Sequence, residues 1–190
     1  MRVAETSLPG CLLLEPTVFG DARGFFFEAW NRQALLRHGV DPVFVQGNVS
    51  GSTRGVLRGL HYQWPGPQGK LVSVASGEVF DVAVDVRRGS PNFGQWFGAM
   101  LSSDNRHSLW IPPGFAHGFA VLSERVTFTY LVTAPYSPAA EVSLRWNDPS
   151  IGIRWPILGE PALSAKDAAA PTLAEVTEER LPVVGECAAC

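Results

Sequence analysis

Turn-forming clusters recur at intervals of roughly eight to fourteen residues along this chain, and between them apolar and polar residues mostly alternate. Gly51-Ser52, Pro65-Gly66-Pro67, Arg88-Gly89-Ser90-Pro91-Asn92, Ser102-Ser103-Asp104-Asn105, Pro112-Pro113-Gly114 and the stretch from Pro135 to Pro138 each break the backbone pattern. Segments this short cannot make long helices. The pattern predicts an all-β domain of many short strands, a sandwich or barrel. The clearest strand is Val79 to Val86, with Phe80, Val82, Val84 and Val86 on one face and Asp81, Ala83 and Asp85 on the other. Helix is expected in two short pieces only. One runs from Asn31 to His38 and stops at Gly39; the other starts at Ser164, with Asp167 three residues on.

The chain of 190 residues suits one domain with a sizeable core, which we place at residues 1–170. Beyond Pro171 it turns acidic and alanine-rich, so residues 171–190 are expected to be a loosely packed tail. A net charge of −3 argues against an extended nucleic-acid surface, and no apolar run approaches the roughly 18 residues a membrane helix needs. Glu5 falls where a secretory signal would be apolar. The three cysteines, Cys11, Cys187 and Cys190, are too few and too scattered for a disulfide framework. Both features point to the cytoplasm. The terminal Cys187-Ala188-Ala189-Cys190 mimics a prenylation box, but no polybasic segment precedes it and a frayed end is the better reading. Thirteen arginines stand against two lysines, Lys70 and Lys166.

Strand parity sorts the polar residues. Gln46, Asn48 and Ser50 share a face with Phe44, while Val43, Val45 and Val49 take the other; the polar row is a solvent face, the commoner case, or the lining of a wet cavity. In Gly55-Val56-Leu57-Arg58-Gly59-Leu60-His61-Tyr62-Gln63, the side chains of His61 and Gln63 point the same way, and Gly59 allows a bulge that re-aims Arg58. With Lys70 opening the next strand, these residues could form a cationic pocket, or be ordinary polar decoration. His117 shares a face with Phe115, Phe119 and Val121, and Tyr130 with Val126 and Phe128. Both would usually be core residues with their polar atoms satisfied.

Spacing also tests a metal site. Cupin barrels bind metal through H-x-H, a glutamate shortly after, and a later P-x-G-x-x-H. The last element stands as Pro112, Gly114 and His117, and Gly55 lies six before His61, but the second histidine is Gln63 and no glutamate follows in positions 64–70. Two ligands are fewer than the three a divalent metal normally takes, so a cupin-like barrel without its metal is expected.

The blocks Phe19-Gly-Asp21-Ala-Arg23-Gly24-Phe25-Phe26-Phe27-Glu28, Gln46-Gly-Asn48-Val-Ser50 and Gly55-Val-Leu-Arg58-Gly-Leu-His61-Tyr-Gln63 closely resemble the dTDP-4-dehydrorhamnose 3,5-epimerase family. Gln68-Gly-Lys70-Leu, the strand from Gly77 to Arg87, Ile111-Pro-Pro-Gly114-Phe-Ala-His117-Gly118-Phe, Trp146-Asn-Asp148-Pro149 and Leu163-Ser-Ala-Lys166-Asp167 continue the likeness in order from about Leu8 to Asp167. The resemblance implies a double-stranded β-helix, the cupin-like jelly roll, with a few short helices. It also implies a cofactor-independent isomerase acting on a dTDP-4-keto-6-deoxyhexose on the way to dTDP-L-rhamnose.

It further implies roles, residue by residue. His61 would be the base, oriented by Asp167; Lys70 would face the developing oxyanion; and Tyr130 would return a proton from the opposite face. Arg23, Arg58, Gln46, Asn48 and His117 would hold diphosphate and sugar, with His117 alternatively polarising the ketone. Glu28, Glu141 and Lys166 match further ligand positions, and Tyr136 the aromatic that stacks on thymine. Family members are dimers in which an N-terminal strand reaches into the partner, so Arg23, Phe26 and Glu28 would serve a neighbouring subunit's site. Where many relatives have a lysine after the tyrosine, this chain has Leu131, which parity turns away from Tyr130. Rival readings are a 3-only or 5-only epimerase, a metal-dependent cupin oxygenase, and a non-catalytic sugar-nucleotide-binding barrel.

Overall fold

The computed structural model describes residues 1–187. Strands β1 (Arg2–Glu5), β2 (Leu12–Glu15), β3 (Val18–Asp21) and β4 (Gly24–Phe27) precede a short helix, α1 (Arg32–Leu36). The central strands are β5 (Gln46–Thr53), β6 (Leu57–Gln63), β7 (Lys70–Ser76), β8 (Glu78–Asp85) and β9 (Trp96–Ser102). Next come β10 (Ser108–Ile111), β11 (Phe115–Val121), β12 (Arg125–Val132), β13 (Glu141–Ser143) and a second helix, α2 (Ala165–Ala168). Among the described residues no helix is long and apolar enough to cross a membrane.

The strands pair antiparallel into a six-stranded sheet, β1-β2-β10-β7-β12-β5, and a five-stranded sheet, β13-β6-β11-β8-β9; β3 and β4 form a separate hairpin. The two large sheets face each other as a cupin-like jelly roll, and the main core lies between them. Val72, Val74, Leu109, Ile111, Val126 and Phe128 on one sheet meet Val79, Ala83, Leu101, Phe115, Phe119 and Val121 on the other. Alternation puts successive β8 residues on opposite faces, so Val79 and Ala83 enter this core while Val82 and Val84 enter a second one outside the sheet.

That second core overturns the expectation of a loosely packed tail, as far as Cys187. Leu173 and Leu181 are buried against Leu60, Tyr62, Val82, Val84 and Val142. Asp148 draws the tail in by accepting the Leu173 N–H at 2.6 Å, and Arg88 N–H donates to Pro182 O at 2.7 Å. Acidic composition concealed this because a few well-spaced leucines suffice to anchor a strap whose other side faces water. Cys11 and Cys187 are free and buried; Cys190 and the prenylation-like ending lie outside the described residues.

The polar row of β5 also departs from its commoner reading. Gln46, Asn48 and Ser50 are half-buried and turned inward, while Val43, Val45 and Val49 are exposed, Val49 by 73%. Here the wet lining is inside.

Candidate active site

A cavity of about 620 Å³ opens between the two sheets. Ser50, Lys70, Phe128 and Tyr130 line it from the six-stranded sheet, and Leu57, Arg58, His61, His117 and Phe119 from the five-stranded sheet. The segment from Ala162 to Asp167 closes one side.

Two glycines let β6 and β11 approach closely enough to set the histidines side by side. A Cβ on Gly59, whose φ is +107°, would sit 2.6 Å from His117 O, and one on Gly118 would sit 2.7 Å from Arg58 O. The pairing register shifts between His117 and Phe119, and His117 lies directly opposite His61. The bulge expected at Gly59 is therefore present. Arg58 swings out to donate from Nε to Ser52 Oγ at 3.0 Å and from Nη2 to Gly51 O at 3.3 Å.

His61 Nε2 lies 2.6 Å from Asp167 Oδ1. Asp167 is placed by α2, whose N-cap Ser164 accepts the Asp167 N–H at 3.1 Å, so the residue that starts the helix also aims the carboxylate. Burial alone would raise the Asp167 carboxyl. The hydrogen bond and charge of His61, with Ser164 and the Gly59 N–H, outweigh it and hold the group below the usual carboxylate range. An ionised Asp167 fixes the proton on Nε2 and leaves Nδ1 as the basic nitrogen.

His117 makes a second such pair, with Nε2 2.8 Å from Asp81 Oδ2. Asp81 is fully buried, and its other oxygen has no hydrogen-bond partner. The His117 ring also stacks near Phe128, with centroids 6.0 Å apart. His117 is therefore both the satisfied histidine expected among aromatics and a wall of the cavity. Asp81 was missed as a site residue; parity grouped it with Ala83 and Asp85, but neither the direction of that face nor a diagonal contact between adjacent strands can be read from it.

Lys70, the first residue of β7, is buried, and burial pushes its pKa down to about 8; the negative charges of Glu141 and Asp81 oppose that fall. The Tyr130 hydroxyl is raised, chiefly by burial and against the nearby Arg58 charge, so it keeps its proton at neutral pH. Leu131 turns away and packs outside the sheet, against the cluster of Leu12, Leu35 and Trp110.

Four more of the expected residues form the rim. Gln46 Nε2 donates to Asn48 Oδ1 at 2.8 Å, and Gln46 Oε1 accepts the Tyr136 N–H at 3.0 Å. Tyr136 O–H donates to Glu141 Oε2 at 3.0 Å, and Glu141 Oε1 pairs with Lys166 Nζ at 2.8 Å, which brings the network back to the cavity wall. Burial would raise Glu141, but Lys166 and Tyr136 hold it below the usual range.

Three residues are not brought to this cavity: Arg23, Phe26 and Glu28. They lie on or beside the β3–β4 hairpin, which joins neither large sheet. Arg23 is paired only locally, with Asp21 at 2.5 Å. Among the described residues no three His, Cys, Asp or Glu side chains cluster as metal ligands. Gln63, at the position of the second cupin histidine, spends its amide on the loop around Tyr136 instead.

A model of the family described as dTDP-4-dehydrorhamnose 3,5-epimerase matches residues 5–175. The chain is 57% identical over 175 residues to a dTDP-4-dehydrorhamnose 3,5-epimerase of Salmonella typhimurium, covering 91% of this chain and 96% of that one. Among solved structures it is similar to the Legionella pneumophila dTDP-6-deoxy-D-glucose-3,5-epimerase in complex with dTDP-4-keto-L-rhamnose. There the TM-score is 0.92 at 49% identity, covering 96% of this chain and 97% of that one. It is also similar to a 3'-monoepimerase of Streptomyces bikiniensis in complex with dTDP-quinovose, with TM-score 0.87 and 37% identity over 95% of this chain and 93% of that one.

Proposed function

The chain belongs to the dTDP-4-dehydrorhamnose 3,5-epimerase family, and we propose that it converts dTDP-4-dehydro-6-deoxy-D-glucose to dTDP-4-dehydro-L-rhamnose. One observation carries the mechanistic reading: a histidine base and a tyrosine acid face one cavity from opposite sheets, with a buried lysine between them in sequence and on the same wall as the tyrosine.

Carbons 3 and 5 flank the C4 ketone, so removing either hydrogen delivers the electron pair to the carbonyl oxygen as an enolate. His61 Nδ1 takes the proton, and Asp167 stabilises the imidazolium through Nε2–H. Lys70 supplies the positive charge at the developing oxyanion. Lys70 is itself buried and held at the head of β7, so its charge is fixed in advance, and such a donor typically contributes about two to three powers of ten in rate. Tyr130 then gives its phenolic proton to the opposite face of the carbon, inverting it. Solvent exchange restores the phenol and the neutral imidazole, and the cycle repeats at the second carbon.

Arg58 and His117 hold diphosphate and sugar, with Lys166 on the cavity wall, Gln46, Asn48 and Glu141 at the rim, and Tyr136 stacked on the base. The arginine fork matches diphosphate oxygens. A second copy of the chain would bring Arg23, Phe26 and Glu28 to the site by strand exchange. The exposed Phe19, Phe25 and Phe26 support that reading, since contiguous bare aromatics mark interfaces. A cytoplasmic enzyme is in keeping with the free cysteines.

Incubation of the keto-sugar nucleotide in deuterated water, followed by NMR of the C3 and C5 hydrogens, tests the reaction. Both signals are expected to disappear and the L-rhamno product to form. Loss at one carbon only would assign a monoepimerase. Unchanged turnover in both His61→Ala and Tyr130→Phe would remove the proposed acid–base pair.

A further inference from the structure

The segment from Pro135 to Glu141 carries Tyr136 and Glu141 to the rim, yet no strand or helix contains its residues before Glu141. Side chains from elsewhere hold it in place. Gln63, 5% exposed, reaches it from β6: Nε2 donates to Pro135 O at 3.2 Å and to Gly66 O at 2.7 Å, while Oε1 accepts the Ser137 N–H at 2.9 Å. One amide therefore grips the peptide groups immediately before and after Tyr136. Two carbonyls and one N–H are the partners that a single amide orientation satisfies, so none of this buried polarity is left over.

Arg180 takes the other end. From the tail, beyond the residues that the family model matches, it donates from Nη1 to Ala139 O at 3.2 Å and from Nη2 to Glu141 O at 2.7 Å. Its own carbonyl accepts the Tyr62 O–H at 3.0 Å. Tyr62 and Gln63 are neighbours on β6, opposite Val142 and Glu141 of β13. Both holds are thus referred to one strand, the one that also carries His61.

We propose that Gln63 and Arg180 are positioning residues that preset the 135–141 segment, so that Tyr136 stands ready for the nucleoside end of the ligand before it binds. The proposal deepens the function given above and rests on its assignment of Tyr136 to the base. A loop ordered in advance does not charge its ordering entropy to binding, so the brace acts on affinity and leaves the chemical step alone. It also gives the tail a function: Leu173 and Leu181 anchor it, and Arg180 delivers the result to the rim.

The test is calorimetric binding of dTDP together with steady-state turnover of the keto-sugar nucleotide, in Tyr136→Ala, Gln63→Met, Arg180→Ala and the two double variants with Tyr136→Ala. Each brace variant is expected to weaken dTDP binding and raise KM by about three- to tenfold, with kcat held within about twofold. On a Tyr136→Ala background neither should cause further loss, and Arg180→Lys, able to reach one carbonyl, should recover part of the affinity. Losses that multiply in the double variants, or kcat falling with affinity, would mean general softening and overturn the proposal. Loss in Tyr136→Ala with none in the brace variants overturns the brace alone. Unchanged dTDP affinity in Tyr136→Ala removes the base subsite and the brace with it. Should Gln63→Met fail to fold, half-buried Arg180 carries the test.

Discussion

The two faces of β5 obey the same alternation and have opposite fates. Inward, Gln46, Asn48 and Ser50 find partners or line the cavity within this one chain. Outward, Val49 is bare, and so are Phe19, Phe25 and Phe26 on the hairpin of the same chain. The cavity that this inner face closes is finished on its far side too: His61 and His117 of the five-stranded sheet are each tied to a buried carboxylate, at 2.6 Å and 2.8 Å. At the β5 edge and on the hairpin the outer surface is apolar and exposed, whereas farther along the same sheet the cluster of Leu12, Leu35 and Trp110 covers it. The proposed proton-transfer groups all come from one chain, whereas Arg23, Phe26 and Glu28 lie away from the cavity, so under the proposed function a second copy should affect binding and assembly far more than proton transfer.

The largest effect should come from breaking the inner wall. His61→Ala is expected to lower kcat by about three to four powers of ten, within the range for a general base, with dTDP affinity measured by calorimetry kept. Lys70→Met should cost about two to three powers of ten in kcat by removing the charge at the oxyanion, seen in single-turnover rates. On the outer wall, Phe26→Ser should leave the inner dyads intact and weaken association. A central aromatic at an interface is worth about 2 kcal/mol, roughly thirtyfold in the dimer dissociation constant by analytical ultracentrifugation. If Phe26→Ser instead matched His61→Ala in kcat, the separation of walls would be wrong.

The smallest effect is the most diagnostic of burial. Lys70 must be charged to act, and its pKa is pushed from 10.5 to about 8, so kcat should fall as pH rises through about 8. A solvated lysine would hold its plateau until about 10. Glu141 opposes this depression, so Glu141→Gln should move the alkaline limb to lower pH in a kcat–pH profile.

The resemblance picked out His61, Lys70, Tyr130 and Asp167 from separate blocks of the chain, and the structure gathers all four at one cavity. The short helix at Ser164 was legible from its cap, and β8 from its alternation. Asp81 was not, because pairing tells which residues lie opposite and not which side chains reach diagonally. The direction of β5 was not either: parity groups Gln46 with Asn48 and Ser50, but which face is wet depends on what the rest of the chain encloses. Leu173 and Leu181 were hidden in an acidic stretch whose average composition says little about two anchoring positions.

The pressed backbones at Gly59 and Gly118 leave one part of the pocket without design freedom. Any side chain at either position would meet peptide atoms rather than a yielding side chain. The spacing between His61 and His117 is therefore a fixed gauge, and a pocket built for a bulkier or differently substituted sugar must be recut elsewhere. Ser50, Val56, Ala162 and Leu163 line the cavity with small or apolar side chains and carry none of the proton-transfer groups. Specificity can drift through those four while the reaction geometry stays constant.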